Sequence, residues 1–326
     1  MSGIQEYNTK WENRINEKIK EYPELKGYAN YIKGTHAMST NCQYINRVIE
    51  FLNFTNKSLS ELSFDDYINY LASLKGKTTS SYQRTVFYAL KRFSEYLMYS
   101  NKNTSNPMQM IKPPKNIESI ETKQKREKGF LTKEEVNITL STVKTGIGNH
   151  RALLRQENWR ERDLAIIYVF LSTGMRLSAL IKLDINNINW EESSIIVTDK
   201  GNKVHNYILP LNVIEVLKKW VDKRNILLDG KQEEALFISN RRKRIGVNAV
   251  SDIVKKYSSN IKGKQISPHK LRATYGTHLY NETRDIKFVQ DQMGHSNPKT
   301  TELYIRGNKD ADRRKASDIM SKFLEN

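Results

Sequence analysis

The chain has 326 residues and a single cysteine, Cys42. One cysteine cannot close an intrachain disulfide, and its helical surroundings indicate a packing role. No CxxC, HExxH or other metal-ligand spacing occurs, so we expect catalysis without a protein-bound metal. No apolar run approaches the ~20 residues of a membrane span, and the N-terminal residues lack the apolar region of a signal peptide. These absences predict a soluble cytoplasmic protein.

Acidic residues are also few relative to basic ones. The chain carries 54 Lys and Arg against 36 Asp and Glu, a formal net charge of +18. A surplus of this size indicates a polyanionic partner. The basic residues are spread along the whole chain and form no single basic amphipathic helix, which favours nucleic acid over a membrane surface.

The chain divides into three stretches that differ in composition and in the spacing of apolar residues. Apolar residues at helical spacing, without strand signals, predict an all-helical domain of four helices over residues 1–106. Prolines, a basic run and no apolar periodicity mark residues 107–129 as an interdomain linker. Residues 130–326 mix helical patterns with two β-type runs, 193–199 and 203–211, which we expect to pair as a hairpin. The predicted fold class is mainly α, with a small β-hairpin or sheet in the second domain only.

Local signals place the first half of this second domain. Thr132 and Glu135 fit a capping box at a helix start. The polar residues 145–158 are interpreted as a loop. The run RDLAIIYVFLSTG predicts a buried helix that ends at Gly174, and Arg176 stands at the head of the next helix.

Basic residues of the first domain and the linker are candidates for DNA contacts. Thr- and Ser-rich helix starts such as KGKTTSSYQR suit phosphate contacts at a helix N-terminus, although a solvated helix surface explains this segment as well. A basic linker suits the phosphate backbone, and it suits a plain hinge equally. The candidates are Lys75, Lys77, Arg84, Lys91, Arg92, Lys123, Lys125 and Arg126.

Most of the residues that could take part in catalysis lie between 265 and 306, a segment that we expect to form short, polar-faced helices. Alone, each is more often a packing or surface group. Together they suit attack on a phosphodiester: paired arginines bind phosphate oxygens and offset transition-state charge, a tyrosine oxygen is a nucleophile, and a lysine donates a proton to the leaving oxygen. The set is Arg176, Lys200, His269, Arg272, His295 and Tyr304.

These residues resemble the tyrosine recombinases, the phage-integrase family, over nearly the whole chain. The motifs are TGMRLSAL, DKGNK, HKLR and MGHSNPKTTELY, in the family's order and at similar gaps. The resemblance implies that Tyr304 forms a 3′-phosphotyrosyl bond while Arg176 and Arg272 clamp the phosphate. It further implies that Lys200 is the general acid and that His269 and His295 assist proton movement and phosphate binding. No cofactor is implied, because the covalent linkage conserves the bond energy.

The sequence departs from the family pattern on one helix and on the hairpin. Ala179 stands where the family commonly has Glu or Asp, three residues after the first arginine. Asp199 replaces a usual Gly, and His205 stands where an Arg is often found. Lys203 on the same hairpin is an alternative general acid to Lys200. His278, near HKLR, lies on an apolar flank and is interpreted as structural.

The resemblance also implies the partners. Residues 1–106 would be a core-binding domain that closes on duplex DNA with the catalytic domain, at specific core sites. Four protomers would act through a Holliday junction, joined by a C-terminal amphipathic helix with Ile319, Met320, Phe323 and Leu324 on one side. Accessory proteins that set direction would fit such a system. We see no room for an arm-binding domain, which favours an Xer-type or mobile-element recombinase of a prokaryote, associated with the nucleoid. A type IB topoisomerase and a DNA-binding regulator without catalysis stay open as alternatives.

Overall fold

A computed structural model describes residues 2–103, 105–115, 117, 129–199, 203–294 and 320. The chain divides into two compact units, Met1–Ser119 and Ile120–Asn326. Among the described residues, no helix combines the length and the apolar character that a membrane crossing requires.

The described part of the first unit is helical. Its helices are α1 (Ser2–Glu21), α2 (Lys26–Lys33), α3 (Met38–Thr55), α4 (Phe64–Ser73) and α5 (Ser80–Tyr99). Five helices are described where four were predicted, because Pro23 opens a short 3-10 turn, Pro23–Leu25, between α1 and α2. The core combines aliphatic and aromatic side chains, with Tyr28, Phe51 and Phe93 fully buried. A capping box formed by Ser63 and Asp66 starts α4.

The segment after α5 begins as part of this first unit. Pro107–Gln109 form a 3-10 turn, and Met108 is fully buried in the core of this unit. Further along, Arg84 donates from Nη1 to the Pro114 carbonyl at 2.7 Å, and Ser80 donates from Oγ to the Ile117 carbonyl at 2.6 Å. The chain therefore runs back along the start of α5 before it leaves the unit.

The second unit is mixed. Its helices are α6 (Lys133–Thr145), α7 (His150–Glu157), α8 (Arg160–Thr173), α9 (Leu177–Leu180), α10 (Leu211–Leu228), α11 (Val247–Tyr257), α12 (Pro268–Thr283) and α13 (Ile286–Gln292). Helix α8 lies at the centre, packed against α6, α10 and α12. It is buried on most sides, as its apolar run predicts, and it ends at Gly174, whose φ of 58° is left-handed.

The strands form one antiparallel sheet in the order β1 (Ile188–Asn189), β2 (Ser194–Asp199), β3 (Lys203–Ile208). The predicted hairpin is confirmed by the pairing of Asp199 with Lys203 at one end and of Ser194 with Ile208 at the other. Strand β1 was not expected, because two residues are too few to show an alternating pattern. A mostly helical chain with this small sheet confirms the predicted fold class.

Two local expectations were wrong. The stretch 145–158, interpreted as a loop, contains α7, which is capped by Asn149 through a bond from the Ala152 amide. The region from 265 onward does not start with a short, polar-faced helix. Helix α12 has 16 residues, and it buries Leu271, Arg272 and other residues on several sides.

Candidate active site

Arg272 lies where two helices end. It is only 4% exposed. Its Nη1 donates to the carbonyl of Gly174 at 2.5 Å, and its Nη2 donates to the carbonyl of Met293 at 2.7 Å. These residues cap the C-termini of α8 and α13, where unpaired carbonyls carry partial negative charge. The buried cation is therefore balanced by backbone dipoles, and its plane is fixed by two bonds.

Arg176 reaches the same place from another direction. It caps the start of α9, two residues after Gly174, and its Nη2 donates to the carbonyl of Gly294 at 3.3 Å. The two arginines, 96 positions apart in the chain, thus bind the consecutive carbonyls of Met293 and Gly294. The structure brings together the pair that the sequence predicts as a phosphate clamp.

The hairpin of β2 and β3 packs against Gly294. This glycine has a φ of +60°, and a Cβ built on it would lie 2.4 Å from Cε1 of His205 on β3. The imidazole therefore rests directly against the Gly294 backbone and stacks on Tyr207, with ring centroids 6.0 Å apart. This contact seats the hairpin beside the arginine pair, although the sequence offered His205 only as a departure from the family pattern.

His269 stands one helical turn before Arg272 on α12, directly after Pro268. Part of its side chain is exposed to solvent. Protein packed around part of the ring nevertheless lowers the pKa of His269 through desolvation, and the Arg272 charge lowers it further. Its imidazole is therefore neutral near pH 7 and can accept a proton.

Three of the predicted site residues lie outside the described residues: Lys200, His295 and Tyr304. Lys203, the alternative acid, is described as part of β3, four residues from Asp199 across the turn. His295 directly follows Gly294 in the sequence, and Tyr304 follows ten positions after Gly294. Both therefore continue the chain from the point where the two arginines bind.

Ala179 is 6% exposed and belongs to the apolar core of the second unit. A carboxylate at this position would enter a largely apolar environment. His278 contacts the backbone instead of the arginine pair, with its Nε2 3.0 Å from the Leu131 carbonyl.

The candidate DNA-binding residues of the first unit differ in exposure and in their contacts. Lys75 and Lys77 are exposed in the loop before α5. Arg84 and Arg92 make contacts within the unit, Arg84 to the Pro114 carbonyl and Arg92 to Glu95 at 2.9 Å. Lys91 is half-buried on α5. The linker candidates Lys123, Lys125 and Arg126 lie outside the described residues.

Comparison with known proteins places this geometry in context. Residues 129–311 match the phage integrase family. The tyrosine recombinase XerC of Caldanaerobacter subterraneus subsp. tengcongensis is 30% identical over 320 residues, covering 88% of this chain and 84% of that protein. The tyrosine recombinase XerS of Streptococcus thermophilus is 26% identical, covering 88% of this chain and 94% of that protein.

Solved structures agree at the level of the fold. The XerH site-specific recombinase in a post-cleavage complex with a palindromic difH substrate has a TM-score of 0.69 at 20% identity, covering 94% of this chain and 88% of that one. The Tn1549 transposon integrase bound to transposon right end DNA has a TM-score of 0.62 at 18% identity, covering 90% of this chain and 99% of that one.

Proposed function

The chain belongs to the phage integrase family and is a site-specific tyrosine recombinase, an enzyme that cleaves and rejoins DNA strands, and we propose that Tyr304 is its nucleophile. In this proposal the Tyr304 oxygen attacks the scissile phosphate, a 3′-phosphotyrosyl bond forms, and the 5′-oxygen leaves with a proton. A second 5′-hydroxyl then attacks the same phosphorus and releases Tyr304, so the number of phosphodiester bonds is conserved.

Arg176 and Arg272 are the proposed phosphate clamp. The observation that carries this assignment is the convergence of both guanidinium groups on the carbonyls of Met293 and Gly294. Two fixed cations at one point offset the charge that develops on the non-bridging oxygens in the transition state. Because Arg272 is held by two helix ends before DNA arrives, little reorganisation is needed during the reaction.

Proton transfer is assigned to the remaining residues of the set. Lys200, at the hairpin turn, is proposed to protonate the leaving 5′-oxygen, with Lys203 as the alternative donor. His269 and His295 are proposed to assist proton movement and phosphate binding. The lowered pKa of His269 supports this role, because a neutral imidazole can take a proton from the tyrosine hydroxyl.

The proposed substrate is duplex DNA with specific core sites. The net charge of +18 supports a polyanionic partner, and XerH and the Tn1549 integrase, which share the fold, were solved with DNA. Lys75 and Lys77 are proposed to contact phosphates. The proposal further includes a tetramer on DNA joined by the C-terminal residues, of which Met320 is helical and exposed. Accessory proteins and a cytoplasmic, nucleoid-associated location complete the proposal.

A covalent trap tests the nucleophile. DNA flanking the gene, nicked so that cleavage cannot reverse, is incubated with the protein and resolved in denaturant. We expect a stable protein–DNA band with wild type and with Tyr99→Phe, a control at a surface tyrosine that is 69% exposed. Tyr304→Phe should bind the DNA and give no band. A band of normal intensity from Tyr304→Phe would refute the assignment.

A further inference from the structure

A compact basic turn lies between α10 and α11 in the second unit. Residues Asn240–Arg244 read NRRKR, and four of the five are cationic. Arg241, Arg242 and Lys243 are all exposed. The turn lies outside the predicted site and outside the predicted set of DNA contacts.

The backbone of this turn is fully formed. The Ser239 amide donates to the Lys243 carbonyl at 2.7 Å, and the Arg242 amide donates to the Ser239 carbonyl at 2.9 Å. Arg244 anchors the turn to the segment that follows α9. Its Nη1 donates to the carbonyls of Ile181 and Leu183, and its Nη2 pairs with Asp184. Three cationic side chains are therefore presented on a rigid support, which reduces the entropy lost on binding.

Arg242 occupies a backbone conformation that suits glycine. Its φ is +58°, and a three-residue hairpin loop ordinarily places Gly at this left-handed position. An L-residue with a side chain is strained in this conformation. The backbone conformation does not favour arginine, and what arginine adds at this position is an exposed positive charge on a long side chain.

The cavity beside the turn is also cationic. It has a volume of about 390 Å³, and Arg162, Arg241 and Lys256 line it with Asp252 as the single acid. Behind the lining, the buried Asp163 accepts from Arg162 at 2.8 Å and from Lys256 at 3.3 Å. One carboxylate thus serves two cations. Three positive and two negative charges leave a surplus of one, before the exposed Arg242 and Lys243 are added.

Helix α8 connects this place to the arginine pair. Arg162 lies near the start of α8 and Gly174 caps its end, so 12 residues at 1.5 Å each separate them by ~18 Å along the axis. Since phosphates of one strand are 3.4 Å apart along a duplex, this is about five base pairs. A phosphate bound at the turn is therefore distinct from the scissile phosphate.

We propose that the turn Asn240–Arg244, with the adjoining cavity lined by Arg241 and Lys256, binds the phosphate backbone of the DNA substrate away from the point of cleavage. This inference rests on the proposed function for its ligand. The side chains carry charge and little base-specific geometry, so they position the duplex and do not select its sequence.

Arg242→Gly is the informative variant, because it removes the charge and relaxes the backbone. Arg284→Gly is a matched control: Arg284 is also exposed, also has a positive φ, of 54°, and caps the far end of α12. Binding to a core-site duplex is measured from 50 to 300 mM salt. For Arg242→Gly we expect the slope of log K against log salt to flatten by about 1, with a roughly tenfold loss of affinity near 0.1 M salt. The double variant Arg242→Gly, Lys243→Gln should flatten it by about 2.

The remaining readouts separate this inference from the proposed function. Arg242→Gly should melt at or above the wild-type temperature, and with saturating nicked DNA it should form the Tyr304 adduct as wild type does. An unchanged slope for Arg242→Gly, or an equal change for Arg284→Gly, would overturn the inference. The turn would then not be a DNA-binding site. Absence of the adduct in the wild type would count against the proposed function alone.

Discussion

The contact between Gly294 and His205 predicts the effect of adding a single methyl group. Gly294→Ala places a Cβ in a left-handed residue, which costs ~1–2 kcal/mol, and sets it 2.4 Å from the imidazole. Overpacking costs ~1–3 kcal/mol, and because the imidazole ends a side chain that can rotate, the lower half of this range applies. We expect Gly294→Ala to destabilise the second unit by about 2–4 kcal/mol.

Two further variants separate the backbone cost from the clash. Gly230 has a φ of +76° and open space around a built Cβ, so Gly230→Ala should show the backbone cost alone. In a His205→Ala background, the cost of Gly294→Ala should fall to the Gly230→Ala value. The difference, ~1–2 kcal/mol, is the coupling energy of a double-mutant cycle.

Urea unfolding followed by tryptophan fluorescence measures these differences in the second unit, because three of the four tryptophans, Trp159, Trp190 and Trp220, belong to it. Cleavage should fall in parallel, since the Gly294 carbonyl accepts from Arg176. If Gly294→Ala costs no more than Gly230→Ala, or if His205→Ala fails to relieve it, the hairpin is not seated against Gly294 and the reasoning is wrong.

Two other predictions concern buried and titrating groups. The pKa of His269 is lowered on folding, so the unfolded chain takes up its proton first as the pH falls. The second unit should therefore lose stability as the pH drops through 6.5 towards the pKa of the folded state. His269→Gln should reduce that loss, as measured by urea midpoints from about pH 5 to 8. Asp163→Asn leaves Arg162 and Lys256 without their buried carboxylate and should cost about 3–5 kcal/mol in the same unfolding assay, whereas a cost below ~1 kcal/mol would show that the cluster is hydrated.

The sequence predicted best what local chemistry determines. The capping box of Thr132 and Glu135 starts α6, the glycine after the apolar run ends α8, and the hairpin pairs as expected. Each of these depends on residues within a few positions of one another. The family motifs indicated Arg176 and Arg272, which bind consecutive backbone carbonyls in the structure.

What the sequence missed depends on exposure or on distant contacts. Helix α7 buries no residue, so no fully buried apolar face indicated it in the sequence. The bonds from Arg272 to Gly174 and Met293 span 98 and 21 positions, and no spacing rule indicates that an arginine will bind carbonyls at two helix ends. The left-handed Arg242 was missed for a related reason, because a basic run in a sequence does not reveal its backbone angles.

The central claim is that the arginine pair acts on the scissile phosphate, and the most direct measurement is single-turnover cleavage of nicked DNA by Arg272→Lys. Lysine keeps the charge but cannot bind two carbonyls and a phosphate as a planar group does. We expect the cleavage rate of Arg272→Lys to fall by ~10²–10³, with DNA affinity within a few-fold of wild type. The control Arg155→Lys, at an exposed position of α7, should cleave at the wild-type rate. A reduction of only a few-fold would contradict the assignment of Arg272 to the phosphate clamp.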